Sequence, residues 1–181
     1  MSDNPKTEDM THFGTALLAK DPVWKLWRAI VLKLYPDAEE ITSVDFSDLS
    51  QEAQTFFYVE ELNREVCNGG FDQYFLNSGG SNAFKAKDAL TTIGAVKTAS
   101  LLSQALTIFP DGFPIADSEA RWQILVDLNK TGNSFLEGLD SEYYDKIRTH
   151  KKDAPAEEDL WQLCVNFIEA NISTPILKEQ S

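Results

Sequence analysis

The chain is poor in the residues that most often carry catalysis, metal binding or cross-linking. It has two cysteines and two histidines in 181 residues. Cys67 and Cys164 stand about a hundred residues apart with no pairing motif around them, which points to free thiols in a reducing compartment. His12 sits near the N-terminal tail and His150 in a charged segment, neither with a second ligand one helical turn away, so no metal site is expected. Basic residues are also scarce: 16 against 29 acids, for a net charge of -13 and a pI of about 4.5. A surface this acidic repels nucleic acid and anionic lipid and attracts basic protein surfaces, although solubility alone is also served by it. No apolar run approaches the length of a membrane span, and residues 1–10 lack the apolar core of a signal peptide. A cytoplasmic protein with no membrane partner is expected.

Motifs of group transfer are missing too. Asn68-Gly69-Gly70 lacks the Lys-Ser/Thr ending of a phosphate loop, and neither a Gly-x-Ser-x-Gly elbow nor a Cys–His signature is found. Glu61 with Asp72 is a carboxylate pair of the kind any acidic helical protein offers. No catalytic residue and no cofactor is nominated.

What is present is a helical pattern. With 43% hydrophobic and 11% aromatic residues, the chain has the material for a real core. Asp21-Pro22 opens a helix, and Val23, Leu26, Trp27, Ile30 and Leu34 follow as one apolar stripe that Trp24 and Val31 widen. An acidic loop over 37–48 leads to a helix over 50–67 capped by Ser50. Its inner side carries Phe56, Val59, Leu62 and Val66, with Asn63 among them and expected to bond the glycine-rich turn beyond; Glu60 and Arg64 pair on its outer side. Asn82 caps a helix that ends at Gly94, and a second over 97–109 completes an αα-hairpin. Phe113-Pro114-Ile115 is expected to tuck into the core. Asp117 or Ser118 opens a helix broken at Thr131-Gly132-Asn133, a short helix covers 139–147, and a charged linker spans 151–155. The last helix, over 156–171, is expected to hold Glu157, Glu158 and Asp159 in its first turn, where acids favour the helix dipole. Nothing alternates with period two over any length. The expected fold is all-α: a single-domain bundle of about seven or eight helices over 11–172, between flexible ends at 1–10 and 173–181.

One stretch differs from its surroundings: Asn68-Gly69-Gly70-Phe71-Asp72-Gln73-Tyr74-Phe75-Leu76-Asn77-Ser78-Gly79-Gly80. Two glycine pairs bracket a short block of aromatics and amides. A glycine pair ends a helix readily, so the spacing predicts a turn at Gly69-Gly70 and a two-turn helix over 71–77. Phe71, Tyr74 and Phe75 share one face of it, and Gln73 and Asn77 share another. This is either an amide-lined binding site or a corner whose aromatics plug the core.

The negative charge is concentrated. Between 101 and 145, Asp111, Asp117, Glu119, Asp127, Glu137, Asp140, Glu142 and Asp145 stand against only Arg121 and Lys130. Carboxylates held on helices present fixed negative charge, as duplex phosphates do, and a Lys/Arg surface built for DNA would meet the same field. A plain solvated acidic face is the alternative.

The run Asn68-Gly69-Gly70-Phe71 with Gln73-Tyr74-Phe75 and Asn77 is followed by Ala89-Leu90, Ile93-Gly94-Ala95, Ala99, Ala105 and Phe109-Pro110. This series resembles a bacterial family of small acidic all-helical domains whose characterised member is a DNA-mimic protein. The resemblance covers 45–148, most specifically 63–122. It implies an all-α protein, with a homodimer as one assembly, that occupies the DNA-binding face of a helix-turn-helix transcription regulator. The eight carboxylates would then be the partner-binding groups, and Asn63, Asn68, Gly69, Gly70, Phe71, Gln73, Tyr74, Phe75 and Asn77 the scaffold. Two other readings stay open: a small-molecule-binding or enzymatic domain at the amide corner, and a toxin-neutralising, immunity-type partner.

Overall fold

Asp21 accepts a hydrogen bond from Trp24 N at 3.1 Å and, with Pro22 behind it, starts α1 (Pro22–Leu34) where the sequence places it. Ser50 Oγ accepts from Ala53 N at 3.2 Å at the head of α2 (Gln51–Leu76). Asp117 Oδ1 accepts from Ala120 N at 2.8 Å at the head of α5 (Ser118–Lys130). The computed structural model describes residues 10–36, 45–112, 114, 116–149 and 156–178. Within them lie α3 (Ala83–Ile93), α4 (Val96–Ala105), α6 (Phe135–Lys146) and α7 (Leu160–Ala170) as well, and the fold is all-α. Among the described residues, a two-residue parallel pairing joins β1 (Ile147–Arg148) to β2 (Glu158–Asp159). The expectations for the 1–9 tail, the loop at 37–44, Phe113, Ile115, His150 and the 151–155 linker fall outside the described residues.

The chain gathers into two compact units, Met1–Phe57 with Cys164–Ser181, and Tyr58–Leu163. In the first, Phe13 packs edge-on against Phe56 and Phe167, with ring centres 6.5 and 6.3 Å away. Trp27 stacks on Phe57 at 5.1 Å. Leu26 and Ile30 of α1 are fully buried, but Trp24, expected to widen the buried stripe, is 48% exposed. Residues 174–178, within the 173–181 end, are bonded to the rest of this unit. Ile176 N donates to Thr11 O at 2.8 Å, Ser50 N to Ile176 O at 2.9 Å, and Lys178 N to Asp48 O at 2.8 Å. Antiparallel bridges join Pro175 to His12 and Leu177 to Leu49. Because these bonds bury the Ile176 side chain completely, Ile176→Ala is expected to cost about 2–4 kcal/mol. Urea unfolding checks this as a lower midpoint at unchanged slope; a shift below about 0.5 kcal/mol would mean the segment is not part of the core.

In the second unit, α3 and α4 form the expected hairpin, turned by Gly94 at φ 83. Asn82 makes no capping bond to α3. The acids of the last helix are placed differently from expectation, because α7 begins only at Leu160. Asp159 caps it, accepting from Gln162 N at 3.0 Å. Glu158 caps a different helix: its carboxylate accepts from Lys97 N at 2.7 Å, Thr98 N at 2.9 Å and Thr98 Oγ1 at 2.5 Å, serving the free N–H groups of α4. Glu157 pairs with Lys97. The strand pairing sets this arrangement, since two residues cannot hydrogen-bond along β1 and also wind into a helix. Helix α6 starts four residues before the expected 139, because the Asn133 side chain accepts from Phe135 N at 2.9 Å.

Candidate functional site

The break in α2 follows from its glycines. Gly69 (φ -160, ψ 25) and Gly70 (φ 76, ψ -175) leave helical geometry and divide the helix into limbs over 51–68 and 71–76. Phe71 N, freed at the start of the second limb, donates to Asp140 Oδ1 of α6 at 2.8 Å. Two more α6 side chains reach the first limb: Tyr143 OH donates to Asn63 Oδ1 at 2.9 Å, and Tyr144 OH to Val66 O at 2.6 Å. Positions 140, 143 and 144 share one helical face, so a single face of α6 fastens both limbs. Asn63 therefore turns toward α6 rather than toward the glycines. It also donates to Glu60 Oε1 at 3.5 Å and accepts from Cys67 Sγ at 3.5 Å. Glu60, expected on the outer side, is 3% exposed, with Arg64 Nε 3.9 Å from its carboxylate.

Phe71, Tyr74 and Phe75 share their face as the spacing predicts, and all three are fully buried. Phe75 meets Phe109 edge-on at 5.0 Å, and Phe71 meets Tyr143 the same way at 6.2 Å. Beneath them lies one of the two bases that stand among the eight acids of 101–145. Arg121 of α5 is 1% exposed. Its Nε donates to Phe75 O at 2.9 Å, Nη2 to Asn77 O at 3.3 Å and Nη1 to Ala116 O at 2.9 Å. The guanidinium satisfies the Phe75 carbonyl at the end of the second limb and adds a second donor to the Asn77 carbonyl, which also accepts from Gly80 N at 3.1 Å.

Gln73 and Asn77 also share a face, and both amides are engaged: Gln73 Nε2 donates to Glu65 Oε2 at 2.8 Å and Asn77 Nδ2 to the same oxygen at 2.7 Å. The donors that would line a ligand site are thus turned onto the protein's own carboxylate, while Asn68 is exposed. Glu61 lies one turn before Glu65 on the same face. Burial, and then the charge of Glu65, push the Glu61 carboxyl up to about 7. Burial, with Glu61 and Tyr58 nearby, holds the Tyr74 hydroxyl far above the usual phenol range. Asp72 faces away from this pair, accepting from Asn129 Nδ2 at 3.3 Å.

The eight carboxylates of 101–145 separate into two groups. Four are engaged: Asp117 as a helix cap, Asp127 with Gln123 and Lys130 at 2.9 and 3.2 Å, Glu142 with Lys146 at 2.8 Å, and Asp140 at the corner. The bonds from Gln123 and Lys130 lower the Asp127 carboxyl, and the bond from Lys146 lowers Glu142. Asp140 is raised, because burial outweighs its bond from Phe71. Asp111, Glu119, Glu137 and Asp145 are exposed and make no hydrogen bond or ion pair among the described residues. No helix of the described residues is long and apolar enough to cross a membrane, and no group of three or more His, Cys, Asp or Glu among them could hold a metal.

These features define an acidic all-α protein built on a hinged helix corner, with carboxylates to spare on its outer faces. The chain belongs to the DMP19-like protein family, whose model matches residues 47–171. That match extends past the 45–148 span of the motif resemblance to take in all of α7. Neither a curated protein nor a solved structure matches the chain.

Proposed function

We propose that this protein acts by binding, as a DNA mimic: it offers carboxylates in place of duplex phosphates to a basic DNA-binding protein, specifically a helix-turn-helix transcription regulator. Membership of the DMP19-like family, a DNA-mimic family, carries this reading. The net charge of -13 supports it, as does the set Asp111, Glu119, Glu137 and Asp145, which no bond among the described residues consumes. Such a surface attracts a Lys/Arg face over a distance that salt controls.

A pull-down of the regulator tests it. Capture at low salt should be lost at about 0.5 M salt, where the Debye length falls to about 4 Å, and duplex DNA should displace the captured protein. Reversing Glu119, Glu137 and Asp145 to Lys should weaken capture roughly a hundredfold while leaving the corner intact. Capture that ignores salt, or survives the triple reversal, would remove the mimicry reading.

A further inference from the structure

The outer side of the helix corner carries a cluster that the mimic surface does not use. Gly69 and Gly70 form a hinge between the two limbs of α2. On this side the limbs are joined through Glu65 Oε2, which holds Gln73 and Asn77 at 2.8 and 2.7 Å. Glu61, one turn back, and the edge of the Tyr74 ring both lie beneath Gly79. A Cβ on Gly79 would stand 2.8 Å from Tyr74 Cε2 and 3.2 Å from the Glu61 carboxyl carbon. The Tyr74 hydroxyl is buried and finds no hydrogen-bond partner among the described residues.

The groups around Glu61 are Glu65 and Tyr58 on its own limb, Tyr74 on the other, and the backbone of Gly79. The cations of these elements have other partners: Arg64 lies 3.9 Å from the Glu60 carboxylate, Lys85 of α3 lies over the Tyr58 ring, 5.6 Å from its centre, and Arg121 donates to the carbonyls of Phe75, Asn77 and Ala116. Neither Glu61 nor Glu65 has an ion pair among the described residues.

We propose that this cluster is a proton-operated clasp: protonated Glu61 lets Glu65 hold the two limbs together, and ionised Glu61 drives Glu65 off Gln73 and Asn77 and loosens the second limb. Two amide donors can carry one carboxylate charge. A second charge four residues away on the same face, partly out of water and without a cation, repels the first. The folded carboxyl lies near 7, above the ordinary 4.5, so the folded corner holds the extra proton. The tightness it confers is complete at acidic pH and is lost as pH rises from about 4.5 through about 7. This device is independent of DNA mimicry, and its test involves no partner.

Carboxyl carbon NMR of the whole protein follows Glu61 directly, and hydrogen exchange follows the second limb. Glu61 should titrate near 7, well above the ordinary 4.5. Protection factors of the 71–77 amides, corrected for intrinsic exchange, should fall at least roughly tenfold between about pH 5.5 and 8.5. Glu61→Gln, which imitates the protonated acid, should show high protection at both pH values, and Glu65→Gln low protection at both. The clasp is overturned if Glu61 titrates with the exposed glutamates, if protection in the unaltered protein is flat with pH, or if either variant behaves like the unaltered protein.

Discussion

Replacing Arg121 with methionine is expected to remove roughly 3–5 kcal/mol of stability, a large part of what a domain normally has. The guanidinium is 1% exposed and donates to three carbonyls from separate parts of the chain: Phe75 and Asn77 at the end of the second limb of α2, and Ala116 before α5. Methionine fills much of the volume but leaves the buried Phe75 carbonyl without its donor, at about 1–3 kcal/mol, and loses the bonds that tie the Asn77 and Ala116 carbonyls to α5. Lysine is no remedy, because one ammonium on a flexible stem cannot reach three acceptors set out for a planar fork. Arg121→Lys should therefore recover less than half of the loss. Thermal unfolding checks both variants: at about 2–4 °C per kcal/mol for a chain of this size, Arg121→Met should melt at least roughly 6 °C early. If it melts within about 2 °C of the unaltered protein, Arg121 does not hold the corner.

The fold class was legible because periodicity reports burial. Val23, Leu26, Ile30 and Leu34 are buried as their spacing requires, and the glycine pair breaks α2 at the residues predicted. Polar partnerships were much less legible, since they depend on residues far apart in sequence. Nothing local to Glu158 indicates that it caps a helix 60 residues away, or that Arg121 serves carbonyls more than 40 residues earlier. One signal was available and unused: Asp140, Tyr143 and Tyr144 occupy one face of α6, where two tyrosines and an acid suggest a face that bonds rather than one merely solvated. Charge counting along the chain has a similar blind spot. It sums Asp140 and Asp127 with Glu137 and Asp145, although the first two spend their charge on internal bonds and only the others are free to meet a partner. The acidic surface is therefore best tested through Glu119, Glu137 and Asp145; reversing Asp140 would damage the scaffold and imitate a loss of binding.

Gly70→Ala is the second substitution with a large expected effect, about 3–5 kcal/mol, from two causes that a double-mutant cycle separates. With φ 76 and ψ -175, Gly70 occupies a region essentially closed to residues with a Cβ, which alone costs about 1–3 kcal/mol. A Cβ there would also stand 2.7 Å from the Asp140 carboxyl carbon, displacing the group that caps Phe71 N. Asp140→Ala removes that collision together with the cap and should cost about 1–2 kcal/mol by itself. Adding Gly70→Ala to Asp140→Ala should then cost only the backbone strain, so the double variant should be more stable than the two single losses summed. Gly69→Ala is the control. Its φ of -160 suits any residue, and the nearest atoms its Cβ would meet belong to the Gln73 side chain, whose amide can swing away at the expense of its bond to Glu65. It should cost less than half as much as Gly70→Ala in urea unfolding. Equal costs for the two glycines would place the rigidity of the corner in side-chain packing, whereas the expected inequality places it in the backbone at Gly70, the residue through which α6 fixes the angle between the limbs.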